Sequence, residues 1–268
     1  MTERIDEAAD PRVADYVHAG DPAWLRDRGL FLAEGRLVVE RLILAGRFGI
    51  RSILVTPPAL SALAGALATV RCPVYVAAPA VIESLTGFDF HRGCLAIGER
   101  PSAGVSEAAL RDGRRLLCME GVANPDNVGG LFRIAEAFGG DCVLLDPSSG
   151  DPFYRKAIRT SIGAVMRLPF HRFETWPGAL GTLRDDGARV VALTPRKDSV
   201  PLNEYAAMVP AGERLVVLVG SEGRGLSDSA LQIAHAKVRI PIEPHVDSLN
   251  VVVAAAIALA ALWRIPSG

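Results

Sequence analysis

Asn124-Pro125-Asp126-Asn127-Val128-Gly129-Gly130-Leu131-Phe132-Arg133 decides how this chain reads, because two amides, a glycine pair and an arginine stand where an apolar strand gives way to a helix. Arg115 to Glu120 is the apolar run before it, and the helical spacing of Val128 to Phe138 closes on Gly139-Gly140, as a glycine C-cap does. A second strand, Asp141 to Asp146, follows at once. Strand, polar turn, helix and strand within about thirty residues make a βαβ unit, whose right-handed crossover leaves the first turn at the carboxyl edge of the sheet. Open α/β sheets bind their ligands at that edge.

Two further strand ends repeat the pattern. Arg214 to Val219 is an unbroken apolar run of the kind buried in parallel sheets, and it opens into Gly220-Ser221-Glu222-Gly223-Arg224-Gly225-Leu226-Ser227. Lys237 to Ile242 leads through Glu243-Pro244-His245-Val246 to Asp247-Ser248-Leu249-Asn250 and a long apolar helix, Val251 to Trp263. The glycine-rich turn is not GxGxxG, no P-loop lysine is present, and no nucleophile elbow supplies a Ser–His–Asp triad.

The 268 residues are 50% hydrophobic with a formal net charge of −1, which excludes a basic tail binder and leaves room for two domains. The basic residues are arginine throughout, apart from Lys156, Lys197, Lys237 and the histidines. Arginine forks match phosphate oxygens, but a codon bias toward arginine, alanine, glycine and proline is the better account of the usage. Cys72, Cys94, Cys118 and Cys142 form no CxxC pair and read as small hydrophobes of a reducing cytoplasm. Five histidines lack ligand spacing, so no metal is expected. The first ten residues are charged and carry no apolar h-region, and Val251 to Trp263 is shorter than the roughly twenty residues of a membrane span. The expected location is therefore the cytoplasm, with no membrane partner.

Along the chain, residues 1–28 are polar and read as an extension wrapping the surface, with order beginning at Leu30. Residues 29–100 form a small α/β domain: Phe31-Leu32, the helix Arg36 to Ala45, strands at Ser52 to Val55, Val74 to Val76 and Cys94 to Ile97, and helices at Ala59 to Ala68 and Pro79 to Leu85. Residues 101–113, opening on Pro101-Ser102-Ala103-Gly104, are a linker with room for one short helix. Residues 114–268 alternate strand and helix again, include Ala188 to Leu193 as a further strand, and carry all three polar loops.

Together the three loops resemble the signature of the SpoU class of SPOUT RNA methyltransferases. The first motif, N-x-G-x-x-x-R, is met by Asn127, Gly129 and Arg133; the second, G-S-E-x-x-G-L-S, by Gly220, Ser221, Glu222, Gly225, Leu226 and Ser227. The third, I-P then D-S-L-N-V before an alanine-rich helix, is met by Ile240, Pro241, Asp247, Ser248, Leu249, Asn250 and Val251. Arg159-Thr160-Ser161-Ile162-Gly163-Ala164 is similar to the family's R-x-S-x-G-A element, and Phe31 to Ile97 to its accessory substrate-binding domain, which folds like a ribosomal RNA-binding protein. Asn124 stands where many members carry Asp, and Val252 where many carry Ser.

The resemblance implies an α/β fold whose C-terminal parallel sheet is threaded into a trefoil knot, with a smaller N-terminal α/β RNA-binding domain. It implies a homodimer with the site at the interface, and methyl transfer from S-adenosylmethionine to a ribose 2′-hydroxyl of structured RNA, ribosomal or transfer. Carried over by motif, Gly220, Ile240 and Leu249 would hold the cofactor. Arg133, Asn127, Glu222, Ser248 and Asn250 would be catalytic: Arg133 as a base or as a clamp on phosphate and developing oxyanion, Asn127 orienting it or the ribose, Glu222 fixing loop amides and the arginine, Ser248 and Asn250 placing the hydroxyl and tying the loops together. Local sequence alone reads Ser248 or Asp247 as the cap of the last helix.

Arg155, Lys156 and Arg159, with Arg167, His171 and Arg172 nearby, form the strongest basic cluster and are the expected grip on RNA phosphates, with Phe153 or Tyr154 free to stack on an unpaired base. Arg36 and Arg41 are weaker candidates of the same kind. The alternative function is a catalytically silent RNA-binding or ribosome-assembly factor of the same fold, which would be betrayed by loss of Asn127, Arg133 or Glu222; all three are present.

Overall fold

The computed structural model describes residues 2–87, 93–101, 107–210 and 212–263. Contacts divide the chain into two compact units: Met1–Ala103 with Pro152–Arg167, and Gly104–Asp151 with Leu168–Gly268.

In the first unit, β1 (Thr2–Ile5), β2 (Leu30–Glu34), β3 (Ile50–Val55), β4 (Val74–Ala77) and β5 (Cys94–Glu99) form a mixed sheet of order β1-β4-β3-β5-β2. Here the expectation of a polar surface extension is corrected. Thr2–Ile5 pairs in parallel with Val74–Ala77, and Ile5, Val13, Tyr16, Ala19 and Leu25 are buried in the core beneath that sheet. The Tyr16 hydroxyl bonds the Ser52 hydroxyl at 3.0 Å, which satisfies both polar groups inside the core.

The domain boundary moves as well, because Pro152–Arg167 packs with the first unit. Phe153 is the anchor: it stacks on Phe31 with ring centroids 4.9 Å apart and meets the edge of Phe48 at 5.6 Å. Within the expected linker, a helix runs over Glu107–Asp112, while Ser102–Ser106 lie outside the described residues.

The second unit is a seven-stranded sheet, parallel throughout: β6 (Arg115–Glu120), β7 (Cys142–Leu145), β8 (Phe170–Arg172), β9 (Arg189–Leu193), β10 (Val200–Pro201), β11 (Leu215–Gly220) and β12 (Ala236–Arg239), in the order β10-β12-β9-β11-β6-β7-β8. Leu116–Met119, Cys142–Leu145 and Val216–Val219 are buried without alternation, as strands covered on both faces must be. Strand order reverses at β6, whose neighbours are β7, next in sequence, and β11, a hundred residues on. That switch point opens a crevice at the carboxyl ends of β6 and β11, where two of the three polar loops begin.

Candidate active site

The helix that begins the site spans Pro125–Ala137, three residues earlier than the apolar spacing indicates. Asn124 is its N-cap, accepting from Asp126 N at 2.9 Å, and Pro125 sits where a missing N–H costs nothing. The last helix spans Val251–Leu262, and its cap is neither Ser248 nor Asp247 but Asn250, whose Oδ1 accepts from Val252 N at 2.9 Å. The two helices touch at Gly130, where a Cβ would lie 2.7 Å from the Val252 side chain. Glycine there lets Val252 fit.

Asn250 is where the three motifs meet. While Oδ1 caps the helix, Nδ2 donates to Asn127 Oδ1 at 3.2 Å and to Glu222 Oε1 at 2.8 Å. One amide thus joins a residue from each motif. The loop Ser221–Leu226 folds back over the end of β11, with Gly225 N bonded to Ser221 O at 3.0 Å. A Cβ on Gly220 would stand 2.4 Å from the Gly225 carbonyl carbon and 2.5 Å from Leu226 N, so only glycine permits the turn.

Between these loops lies a cleft of about 380 Å³, within the size range of small-ligand sites. Gly220, Glu222, Ile240, Ser248 and Leu249 line it, so five expected site residues share its wall. Leu193, Thr194 and Pro195, from the end of β9, complete the wall; the sequence reading assigned them no role. Asn127 is buried beside the cleft through its bond to Asn250. Arg133 stands apart: it is exposed, about 9 Å further along its helix than Asn127, and makes no hydrogen bond or ion pair among the described residues.

Two buried carboxylates brace the crevice and were also missed. Glu120, at the end of β6, accepts from Trp176 Nε1 and Ser227 Oγ at 2.6 Å each and from Ser227 N at 2.9 Å, which pins the far end of the second motif. A carboxylate ending an apolar strand at the ligand edge was its one sequence signal. Asp146, at the end of β7, takes the Gly121 and Ser149 amides at 3.0 and 2.8 Å and the hydroxyls of Ser148 and Ser149. Burial pushes its carboxyl up, but these donors outweigh burial and hold it below the usual carboxylate value.

The basic cluster is only partly as expected. Arg155 pairs with the buried Glu34 at 2.8 Å, and Phe153 is buried among aromatic rings rather than free to stack. Tyr154 is exposed and Arg159 half-buried. Arg172 belongs to the second unit, where its guanidinium donates to the carbonyls of Asp146, Ser149 and Gly150 at 2.8 to 2.9 Å, a structural clamp on that loop. Arg41 is likewise engaged, donating to Ile162 O. In the R-x-S-x-G-A element, Ser161 Oγ and Gly163 N both bond Ile158 O, at 2.8 and 3.1 Å, and so terminate the helix Arg155–Thr160. Among the described residues, no group of His, Cys, Asp and Glu converges to hold a metal, and no helix is long and apolar enough to cross a membrane.

These features agree with what the chain is similar to. The model of the SpoU rRNA Methylase family matches residues 114–260. An uncharacterized tRNA/rRNA methyltransferase of Mycobacterium tuberculosis H37Rv is 38% identical over 254 residues, 93% of this chain and 87% of that protein. The 23S rRNA (guanosine(2553)-2'-O)-methyltransferase RlmP of Bacillus subtilis is 26% identical over 256 residues, 95% and 97% of the two chains. The crystal structure of an AdoMet-bound rRNA methyltransferase from Sinorhizobium meliloti superimposes with a TM-score of 0.80 at 25% identity, covering 97% of each chain. A family match over more than half the sequence, on the segment that builds the crevice, places this chain in the SpoU rRNA methylase family.

Proposed function

We propose that the protein transfers a methyl group from S-adenosylmethionine to a ribose 2′-hydroxyl of structured RNA, ribosomal RNA before transfer RNA. The observation that carries this reading is the junction of Asn127, Glu222 and Asn250 beside a cleft lined by Gly220, Ile240 and Leu249. The cleft suits the cofactor: its volume fits a nucleoside-sized ligand, its wall is largely apolar, and the bare Gly220 leaves backbone groups open to a close approach.

When bound, the cofactor supplies a methyl group on a sulfonium already primed to leave. What remains for the chain is alignment and charge. Asn250 holds Glu222 and Asn127 in one arrangement, Ser248 lies on the cleft wall within the same loop, and Arg133 is an unengaged cation that can clamp a phosphate and the developing oxyanion. A guanidinium keeps its proton through the working range, so the clamp is a better role for it than the base.

The same reading includes the trefoil knot and the homodimer. Val253 and Ile257, one turn apart on the last helix, are 49% and 41% exposed, and Met208 on the helix Leu202–Met208 is 65% exposed. Such a patch on a surface helix suits a second copy. Incubation with radiolabelled cofactor and total RNA, followed by mapping of ribose methylation, tests the activity. Arg133→Ala should abolish the label while unfolding at the wild-type urea concentration; undiminished label would remove Arg133 from the site, and no label with wild type would favour the silent RNA-binding factor.

A further inference from the structure

In the stretch Asp247-Ser248-Leu249-Asn250, the aspartate is left without a task. It caps no helix, since Asn250 holds that place, and it makes no hydrogen bond or ion pair among the described residues. Yet it stands on the wall of the cleft of about 380 Å³. Glu222 reaches the same wall from a different loop, and its bond from Asn250 Nδ2 at 2.8 Å comes from a neutral amide that leaves the carboxylate charge in place. No lysine, arginine or histidine lines the cleft. Of the cations that flank these segments in sequence, Arg196 pairs with Asp228, Arg239 donates to Ser199 O, and Arg224 and His245 are exposed and off the wall. The cleft therefore carries two negative charges and no positive one.

That charge does not define the site, which rests on the apolar wall and the close turn at Gly220. It bears on which ligand stays. S-adenosylmethionine has a sulfonium, an ammonium and a carboxylate, a net single positive charge. Methyl transfer breaks the sulfur–methyl bond and leaves its electron pair on sulfur, while the ribose oxygen bonds the methyl carbon and releases its proton to the surroundings. The sulfonium becomes a neutral thioether, and the net positive charge of the ligand is gone. Taken as a cube, the cleft is about 7 Å across, so no charge within it is far from either carboxylate. At that range one solvated carboxylate changes the affinity for a unit positive charge roughly three- to tenfold.

We propose that Asp247 is a specificity residue of the cleft: with Glu222 it favours the cationic cofactor over the neutral product, S-adenosylhomocysteine, so that methyl transfer itself loosens the hold on the product. This deepens the methyltransferase reading and rests on its placement of the cofactor in this cleft.

The test is titration calorimetry of the full chain with three ligands: S-adenosylmethionine, S-adenosylhomocysteine, and sinefungin, in which an amine-bearing carbon replaces the sulfonium and restores a positive charge without the methyl group. Asp247→Asn should weaken both cationic ligands roughly three- to tenfold and change the thioether's affinity by less than about twofold, whereas Asp247→Glu should keep the wild-type affinities. In 1 M salt, where the screening length is about 3 Å, the effect of Asp247→Asn should vanish. Because the side chain makes no bond among the described residues, the variant should unfold at the wild-type urea concentration. Unchanged binding of the cationic ligands by Asp247→Asn, or an equal loss for all three, overturns the proposal. So does a loss confined to S-adenosylmethionine, which would trace to the methyl group and not to charge. The two readings fail separately: a wild type and an Asp247→Asn variant that bind all three ligands alike refute the charge inference alone, whereas a wild type that binds none of them refutes the placement of the cofactor as well.

Discussion

Replacing Asn250 by aspartate separates the two things its side chain does. The Oδ1 cap of the last helix contributes about 1 kcal/mol, and the Nδ2 bonds to Asn127 and Glu222 about 1–2 kcal/mol at this exposed position. Asn250→Ala loses both, about 2–3 kcal/mol by urea denaturation. Asn250→Asp keeps the cap, and a carboxylate at a helix N-terminus is if anything favoured. It loses both donors, however, and puts a negative oxygen where Nδ2 now stands, 2.8 Å from Glu222 Oε1. Repulsion of about 1 kcal/mol in a solvated setting, added to the lost bond, amounts to about 2 kcal/mol against the present loop arrangement. The aspartate variant should therefore lose about 2 kcal/mol, close to the loss of the alanine variant although its cap is kept, and bind S-adenosylmethionine roughly thirtyfold more weakly in calorimetry. Wild-type cofactor affinity in Asn250→Asp would refute the junction as the organiser of the cleft. A loss in Asn250→Ala no larger than the about 1–2 kcal/mol of the Nδ2 bonds would refute the cap.

Gly220→Ala should abolish cofactor binding in calorimetry while leaving the far-ultraviolet dichroism unchanged, because the new Cβ meets backbone rather than a side chain that can swing aside; retained binding would show that the turn can shift. Glu120→Ala strands three donors at Trp176 and Ser227 and should cost roughly 3 kcal/mol in urea denaturation, so a loss below about 1 kcal/mol would remove Glu120 as a brace. For Asp146 the folded carboxyl value is depressed, so its stabilisation is present above the ordinary value near about 4 and disappears as pH falls through the lower folded value. Asp146→Asn should then be less stable than wild type at pH 7, with the gap closing in acid; a gap that is constant from pH 7 to pH 3 would contradict this.

The parallel sheet and its three loops were legible because each depends on local order: an apolar run, a glycine turn and a capped helix in succession. The boundaries went astray where caps compete. Ser248 and Asp247 have good capping chemistry, but Asn250 stands next to the first helical residue and supplies a donor as well as an acceptor. The first 28 residues misled because Ile5, Val13, Tyr16 and Leu25 are interspersed with charges, and the four-residue strand they begin with has meaning only beside Val74–Ala77. In the basic cluster the charges could be read but not their partners, since Glu34 lies 121 residues from Arg155. Glu120 was visible only as the end of a strand, because its three donors arrive from two distant segments.

The placement of Pro152–Arg167 within the first unit has a practical meaning for anyone wishing to exchange recognition between relatives. A chimera cut once near residue 103 would transplant a sheet without Phe153, whose ring completes the stack on Phe31, and without Arg155, leaving the buried Glu34 carboxylate bereft of its ion-pair cation. Such a hybrid would confound misfolding with altered specificity. A usable graft carries two pieces of chain, one from each side of the Asn124–Arg133 motif, and leaves the motif itself with the recipient.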